Sequence, residues 1–457
     1  MRIPFARGLK ARFVAVVPLL AALWLVTGAA IAQPKPPLPV AASASAAEPA
    51  APVSLSAQRL YERSRAKLVQ IRTLLKSQSS QASVGSGFLV SDDGLLMTNY
   101  HVISQVALQP ERYRLVYTTA DGKEGALELL AIDVVHDLAL VRAKPEELAT
   151  RGHLNFRPQS QPLNKGERIY SLGNPLDVGF ALTEGNFNGL VERSFYPSIF
   201  FGGSLNPGMS GGPTLDEEGR VMGVNVATRR DGEQISFLVP SMYAEALLAR
   251  GQKAAPIKTA LYPEITRQLL AHQQVLVDRF IALPWRSAGH PHYQIPVPGE
   301  DFMRCWGSTS ASETKGLDYE RSDCQLEQTL FISGSLFTGG LTVRHETYEG
   351  AKLGLVRFTK LFGDSFRNER FGSGSLRDFT PPQCKEHFVT QGGLPLRVVL
   401  CMAAYRKLPG LFDVSVLVAT QDQARAGAQG RLDARGLSFA NAMRLSRHYL
   451  EGFAWKN

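Results

Sequence analysis

The chain has 457 residues, more than one ordinary domain needs, so two folded units with flanking segments are expected. With 44% hydrophobic and 20% charged residues, it has the composition of a globular protein that can bury a sizeable core. Of the formal charge of +9, Arg2, Arg7, Lys10 and Arg12 account for all but +5, and no basic block with interleaved aromatics occurs, so there is no case for a nucleic-acid partner.

The basic start is followed by an apolar run from Phe13 to Val26 and by small residues ending in Ala30-Ile31-Ala32, an A-x-A pattern. Residues 1–32 therefore read as a cleaved export signal, interrupted by Pro18 and Gly28. The alternative is an uncleaved anchor, because Phe13 to Ala32 is long enough to span a bilayer, and membrane contact is expected only in that case. Either way the remainder is exported, to the periplasm or outside the cell. Residues 33–56, nearly all Pro, Ala, Ser and Val, cannot bury a core and are expected to form a disordered linker.

From Leu55 to Lys76 the helical spacing of Leu60, Leu68, Ile71 and Leu75 predicts a helix leading into the first domain, a surface that a homo-oligomer could use. From Val84 the texture changes to short apolar runs broken by Gly, Asn and Asp, the mark of an all-β barrel or sandwich, ending near Pro240 with a closing helix from Met242 to Ala249. The first domain is placed at 57–250.

Residues 255–457 read as an α+β domain with an antiparallel sheet. Its amphipathic helix, Pro263 to Leu283, offers Ile265, Leu269, Leu270, Val275, Val277 and Phe280 to a core, and a terminal helix runs from Ser438 to Phe453. All four cysteines, Cys305, Cys324, Cys384 and Cys401, lie in this part. An even number in an exported chain predicts two disulfides. Three pairings are open; neighbour pairing, Cys305 with Cys324 and Cys384 with Cys401, is preferred because each would clip a local pair of strands. No C-x-x-C spacing supports zinc, and His290-Pro291-His292 has no second ligand cluster, so neither a metal nor a cofactor is expected.

Three short elements carry chemistry. In Asn206-Pro207-Gly208-Met209-Ser210-Gly211-Gly212-Pro213, Ser210 is a candidate nucleophile. Gly208 frees its amide to turn in beside that of Ser210 as an oxyanion hole, and Gly211 and Gly212 would let a substrate backbone approach. His101, in Thr98-Asn99-Tyr100-His101-Val102, is placed at a strand end as a candidate base. Asp137 precedes the apolar strand Leu138 to Val141 and can orient that base, whereas the adjacent His136 would point elsewhere. Each element alone fits an ordinary turn or loop; the order His, Asp, Ser within one β-rich segment does not.

Through "GSGFLVSDDGLLMTNYHV", "DLALVRA", "SLGNPLDVGFALTEGNFNGLV", "NPGMSGGPTLDEEGRVMGVNVA" and "ISFLVPS", the segment from Gly85 to Ser241 resembles trypsin-like serine proteases, most closely the HtrA type of the bacterial envelope. The resemblance covers about 155 of 457 residues and implies a double β-barrel of chymotrypsin type with the site between the barrels. It makes His101 the general base, Asp137 its orienter, Ser210 the nucleophile, and the amides of Gly208 and Ser210 the oxyanion hole of an endopeptidase acting on polypeptides.

Three departures qualify it. Met209 stands where the family carries aspartate or asparagine before the serine, which leaves open what holds the Gly208 peptide and admits a rival reading as a silent binding scaffold. Ser204 stands where cleavage after Arg or Lys would need an acid, so a pocket of Ser204, Val226, Ala227 and Thr228 predicts small or medium apolar side chains. The C-terminal part lacks the features of a PDZ domain, and a gating role for it is a third possibility.

Overall fold

The structure is a computed structural model that describes residues 54–456 apart from 229–234, 288–289, 300, 311–316, 327, 368–370, 372–373 and 422–424. The expected export signal and nearly all of the linker lie outside the described residues. Helix α1 (Leu55–Ser64) opens inside the span assigned to the linker, capped by the Ser54 hydroxyl, which accepts the Ala57 N–H at 3.2 Å.

The expected helix from Leu55 to Lys76 holds only for its first half: after a 3-10 turn the chain becomes strand β1 (Leu68–Leu75). The leucine spacing fits a helix, but Val69, Ile71 and Thr73 alternate as β-branched residues, all buried, and pairing with two neighbours decides the outcome. Strands β2 (Gln81–Leu89) and β3 (Leu95–Thr98), helix α2 (Tyr100–Leu108), and β4 (Tyr113–Thr119), β5 (Glu124–Asp133) and β6 (Leu138–Arg142) come next in the chain, and β1-β2-β3-β6-β5-β4 closes into an antiparallel barrel. After the short helix α3 (Pro145–Leu148), strands β7 (Arg168–Gly173), β8 (Ala181–Leu190), β9 (Ile199–Gly202), β10 (Pro213–Leu215), β11 (Val221–Thr228) and β12 (Ser236–Pro240) close a second barrel in the order β10-β11-β12-β9-β8-β7. Phe88, Met97 and Leu140 of the first barrel pack against Tyr170, Leu172 and Val224 of the second, with Leu60 of α1 and Leu247 of α4 (Ser241–Gly251) in the same cluster.

Helix α5 (Tyr262–Ala282) joins the barrels to the C-terminal part of the chain. Its first half buries Ile265 and Leu269 in the core of the first barrel, and its second half buries Leu276, Val277 and Phe280 in the C-terminal core. Val275, expected in the core, is 52% exposed, because Leu276 and Val277 occupy the inward face of that turn.

Beyond two-residue strands β13 (Arg286–Ser287), β14 (Tyr293–Gln294) and β15 (Pro296–Val297) come β16 (Arg304–Thr309), β17 (Asp318–Gln325), the hairpin β18 (Leu330–Ser333) and β19 (Leu336–Thr338), then β20 (Leu341–Glu349), α6 (Leu355–Ser365), β21 (Gln383–Gln391), β22 (Leu394–Ala404), β23 (Phe412–Thr420), β24 (Ala426–Leu437), α7 (Phe439–Glu451) and β25 (Ala454–Trp455). Seven of these form an antiparallel sheet, β16-β17-β20-β24-β23-β22-β21, with α5 and α7 packed on one face. The expected α+β architecture is present.

Disulfides join Cys305 to Cys324 and Cys384 to Cys401, the neighbour pairing. Each links residues directly opposite one another, the first tying edge strand β16 to β17 and the second tying edge strand β21 to β22. Both edges of the sheet are thus clipped covalently, which matters most for β21, exposed over nearly its whole length. Among the described residues no helix is long and apolar enough to cross a membrane.

Candidate active site

His101 lies on the first turn of α2, just past the strand end where it was expected. The helix enters through Asn99, whose side-chain amide donates to the Asp137 carbonyl at 2.8 Å, and buries Tyr100, Val102 and Ile103. Asp137 ends the turn between β5 and β6 with φ +55°, a left-handed conformation that a short polar residue tolerates. That geometry aims both carboxylate oxygens at one residue: Oδ1 accepts the His101 backbone N–H at 2.8 Å, and Oδ2 lies 2.6 Å from His101 Nδ1.

A carboxylate accepts, so Nδ1 carries the imidazole proton and Nε2 is left as the basic nitrogen. Burial works to lower the pKa of His101, but the charge of Asp137 and its hydrogen bond work against it and win, holding the imidazole above its ordinary value. His136 does point elsewhere: its ring Nδ1 lies 3.0 Å from Asp133 Oδ2, and the ring stacks on Tyr243.

Ser210 sits in the turn between β9 and β10, and its neighbour Gly211 packs on the backbone nitrogen of Asn99, so the turn abuts the start of α2. Gly208 has φ +95°, and a Cβ there would lie 2.4 Å from the Asn174 carbonyl oxygen, so both conformation and space demand glycine. Gly211 and Gly212 were expected to make room for a substrate. Their reason is internal: a Cβ would lie 2.3 Å from the Ser86 oxygen in the first case and 2.1 Å from the Leu172 oxygen in the second. Met209 N–H donates to the Asn206 oxygen at 3.0 Å, whereas the N–H groups of Gly208 and Ser210 have no acceptor among the described residues. Two donors therefore remain available in the turn that carries Ser210, as an oxyanion hole would require.

Packing and hydrogen bonds together hold the turn that Met209 was expected to leave unsupported. The Met209 side chain, 1% exposed, is locked among Ile169, Phe187, Phe201, Leu205, Met222 and Leu238 in the core of the second barrel. Two polar residues with no role expected from the sequence hold the rest of the turn. Ser86 of β2 donates its backbone N–H to the Ser210 carbonyl at 2.7 Å and its hydroxyl to the Gly208 carbonyl at 2.7 Å, while accepting the Asn174 N–H at 2.9 Å. Asn225, fully buried, donates to the Leu172 and Met209 carbonyls and accepts from the hydroxyls of Ser171 and Thr214. The placement of Ser86 between Gly85 and Gly87 was the visible signal for the first; nothing local marks Asn225.

Of the residues expected to border a specificity pocket, Val226 is half-buried and its carbonyl oxygen accepts the Ser210 hydroxyl at 3.0 Å, while Ser204 is exposed. The side chains of Ala227 and Thr228 lie outside the described residues.

Residues 85–224 match the family model of the trypsin-like peptidase domain. A putative serine protease HhoB from Synechocystis is 29% identical over 248 residues, 50% of this chain and 57% of that protein. A probable periplasmic serine endoprotease DegP-like from Chlamydia pneumoniae is 32% identical over 181 residues, 38% of this chain and 35% of that protein. The chain thus spans about a third to just over half of the length of these relatives. Among solved structures, a serine endoprotease from Yersinia pestis aligns with a TM-score of 0.37 at 23% identity, over 43% of this chain and 67% of that one.

Proposed function

We propose that this chain, which carries a trypsin-like peptidase domain over residues 85–224, is a serine endopeptidase with Ser210, His101 and Asp137 as its catalytic residues. Ser210 Oγ attacks the carbonyl carbon of a peptide bond while His101 Nε2 takes the hydroxyl proton, and Asp137 holds the imidazolium that forms. The oxyanion is received by the N–H groups of Gly208 and Ser210. His101 returns the proton to the leaving amine, which leaves an acyl-enzyme; water, deprotonated by the same imidazole, then attacks the ester, and the imidazolium gives that proton to Ser210 Oγ as the acid product leaves.

The observation that carries this reading is the double engagement of Asp137 by His101, at 2.8 and 2.6 Å, which fixes the tautomer with Nε2 as the base. The absence of an acid at Ser204 favours small to medium apolar side chains over Arg or Lys. The leader-like segment at 1–32 and the relative named as periplasmic support action on exported or misfolded polypeptides outside the cytoplasm.

The test is reaction with a fluorophosphonate probe together with digestion of unfolded casein. The expected result is labelling and digestion by the protein and neither by Ser210→Ala; equal digestion by the two would overturn the proposal.

A further inference from the structure

The hairpin β18–β19 belongs to the C-terminal part of the chain but pairs with no strand of its seven-stranded sheet. It reaches back to α2 instead. Leu330, Ile332 and Leu336 are buried in the core of the first barrel beside Val102 and Ile103, and the Ile332 carbonyl accepts the buried Tyr100 hydroxyl at 2.9 Å. Phe331, half-buried, packs against the edge of the same core, its ring edge-on to that of Tyr100 with centroids 6.1 Å apart. The same ring stands edge-on to the His101 imidazole with centroids 6.1 Å apart, and it pairs across the hairpin with Phe337, 5.4 Å away.

Phe337 is 44% exposed and the His101 side chain 30%, so an accessible aromatic surface adjoins the candidate base. A large exposed phenylalanine costs solvation and contributes little to the fold, whereas beside a hydrolytic cleft it offers an apolar wall. On its other side Phe337 lines a cavity of about 600 Å³ against the sheet, shared with Leu336, Leu376 and Phe379.

We infer that Phe331 and Phe337 are substrate-binding residues: they form a subsite that receives an apolar side chain of the polypeptide where it passes over His101, making the C-terminal part a wall of the cleft. This rests on the hydrolytic reading of Ser210. Seating a leucine- or phenylalanine-sized side chain there is expected to tighten binding roughly tenfold to a hundredfold over glycine.

The test uses the full chain carrying Ser210→Ala, which binds without turnover, and two sets of fluorescein-labelled dodecapeptides that differ only in having Leu and Phe or Gly and Ser at their variable positions. Fluorescence anisotropy is expected to show the apolar set bound at least tenfold more tightly. Adding Phe331→Ala should abolish that preference, Phe331→Leu should keep most of it, and Phe337→Ser, at an exposed position that folding tolerates, should weaken it several-fold. Equal binding of the two sets, or a preference that survives both Phe331→Ala and Phe337→Ser, overturns the inference. Fluorophosphonate labelling of the unaltered chain is scored separately: labelling without apolar preference defeats this inference alone, and preference without labelling defeats the hydrolytic reading.

Discussion

The hydroxyl of Ser210 donates to the carbonyl oxygen of Val226 at 3.0 Å, and Val226 is the extra residue of a bulge in β11, between the paired positions Asn225 and Ala227. A hydroxyl has one proton to give, so in this resting arrangement it does not point at His101. Turning it toward the imidazole gives up one hydrogen bond, a cost of about 1 kcal/mol that substrate binding can offset. The bulge takes the Val226 carbonyl out of the ladder with β12 and leaves it to the Ser210 hydroxyl.

It follows that Ser210→Ala and Asn225→Ala should fail in opposite ways. Removing the Ser210 hydroxyl strands a single carbonyl at a half-exposed turn, so urea unfolding should shift by no more than about 1 kcal/mol while turnover falls on the order of 10⁶-fold. Asn225→Ala takes the acceptor from two hydroxyls and the donor from the Leu172 carbonyl in a fully buried site, and leaves the Met209 carbonyl with only the Gly212 N–H, so a loss of about 3 kcal/mol is expected from the same measurement. Equal stability of the two variants would contradict the network described for Asn225.

The side chain before the nucleophile makes a second prediction. Because Met209 is held by apolar burial, Met209→Leu conserves volume and should cost less than about 1.5 kcal/mol. Met209→Asn, which restores a residue type common at this position in the resembling family, puts an unpaired amide into the core of the second barrel and should cost about 2 kcal/mol or more. Ser86→Ala should lower kcat by roughly tenfold to a hundredfold with little change in KM, since it loosens the Gly208 carbonyl without touching a substrate subsite. A KM effect larger than the kcat effect would place Ser86 in binding instead.

These residues mark the limit of what the sequence makes legible. The triad candidates are readable because their chemistry is local: glycines flank Ser210, and Asp137 directly precedes a strand. The reading of Leu68 to Leu75 as helix failed because leucine spacing is a local pattern, while closure of a barrel through pairing with both β2 and β4 is not. The departure at Met209 was visible, but its resolution depends on Phe187, Phe201 and Leu238 from three different strands. The hairpin that meets α2 is farther still, with Tyr100 and Ile332 separated by 232 positions.

On the proposed mechanism, the electrostatics of His101 set the pH dependence of hydrolysis. The base must be neutral, and Asp137 holds its pKa above the ordinary value, so kcat/KM should rise with pH through a pKa above about 6.5. Asp137→Asn removes the raising influence and leaves burial, so the acid limb should move below about 6.5 while the rate drops on the order of 10⁴-fold. For the fold the sign is opposite: the raised pKa means the His101–Asp137 pair stabilises fully below about pH 6.5, a contribution lost as pH climbs through the folded pKa. A limb that stays put in Asp137→Asn would show that another group titrates.

Stability in acid should be governed by a different set of histidines. Burial, with the nearby charge of His136, lowers His272 to about 4; burial alone lowers His345 to about 3; burial, with His292 and Lys456, lowers His290 to about 4. Each stays neutral in the fold below the pH at which the unfolded chain protonates it, so stability is lost as pH falls from about 6.5 toward 4. Asp413 opposes them, because burial raises it to about 6 and the folded chain then holds a proton that the unfolded chain releases down to about pH 4. Three histidines against one aspartate leave a net uptake of about two protons on unfolding near pH 5, a slope of about 2 to 3 kcal/mol per pH unit. Urea unfolding between pH 7 and 4.5 measures that slope directly. His272→Gln, which keeps an acceptor for the Tyr196 hydroxyl now 3.0 Å from the ring, should reduce it by about 1.4 kcal/mol per pH unit. An unchanged slope in that variant would mean that His272 titrates in the folded chain as it does in the unfolded one.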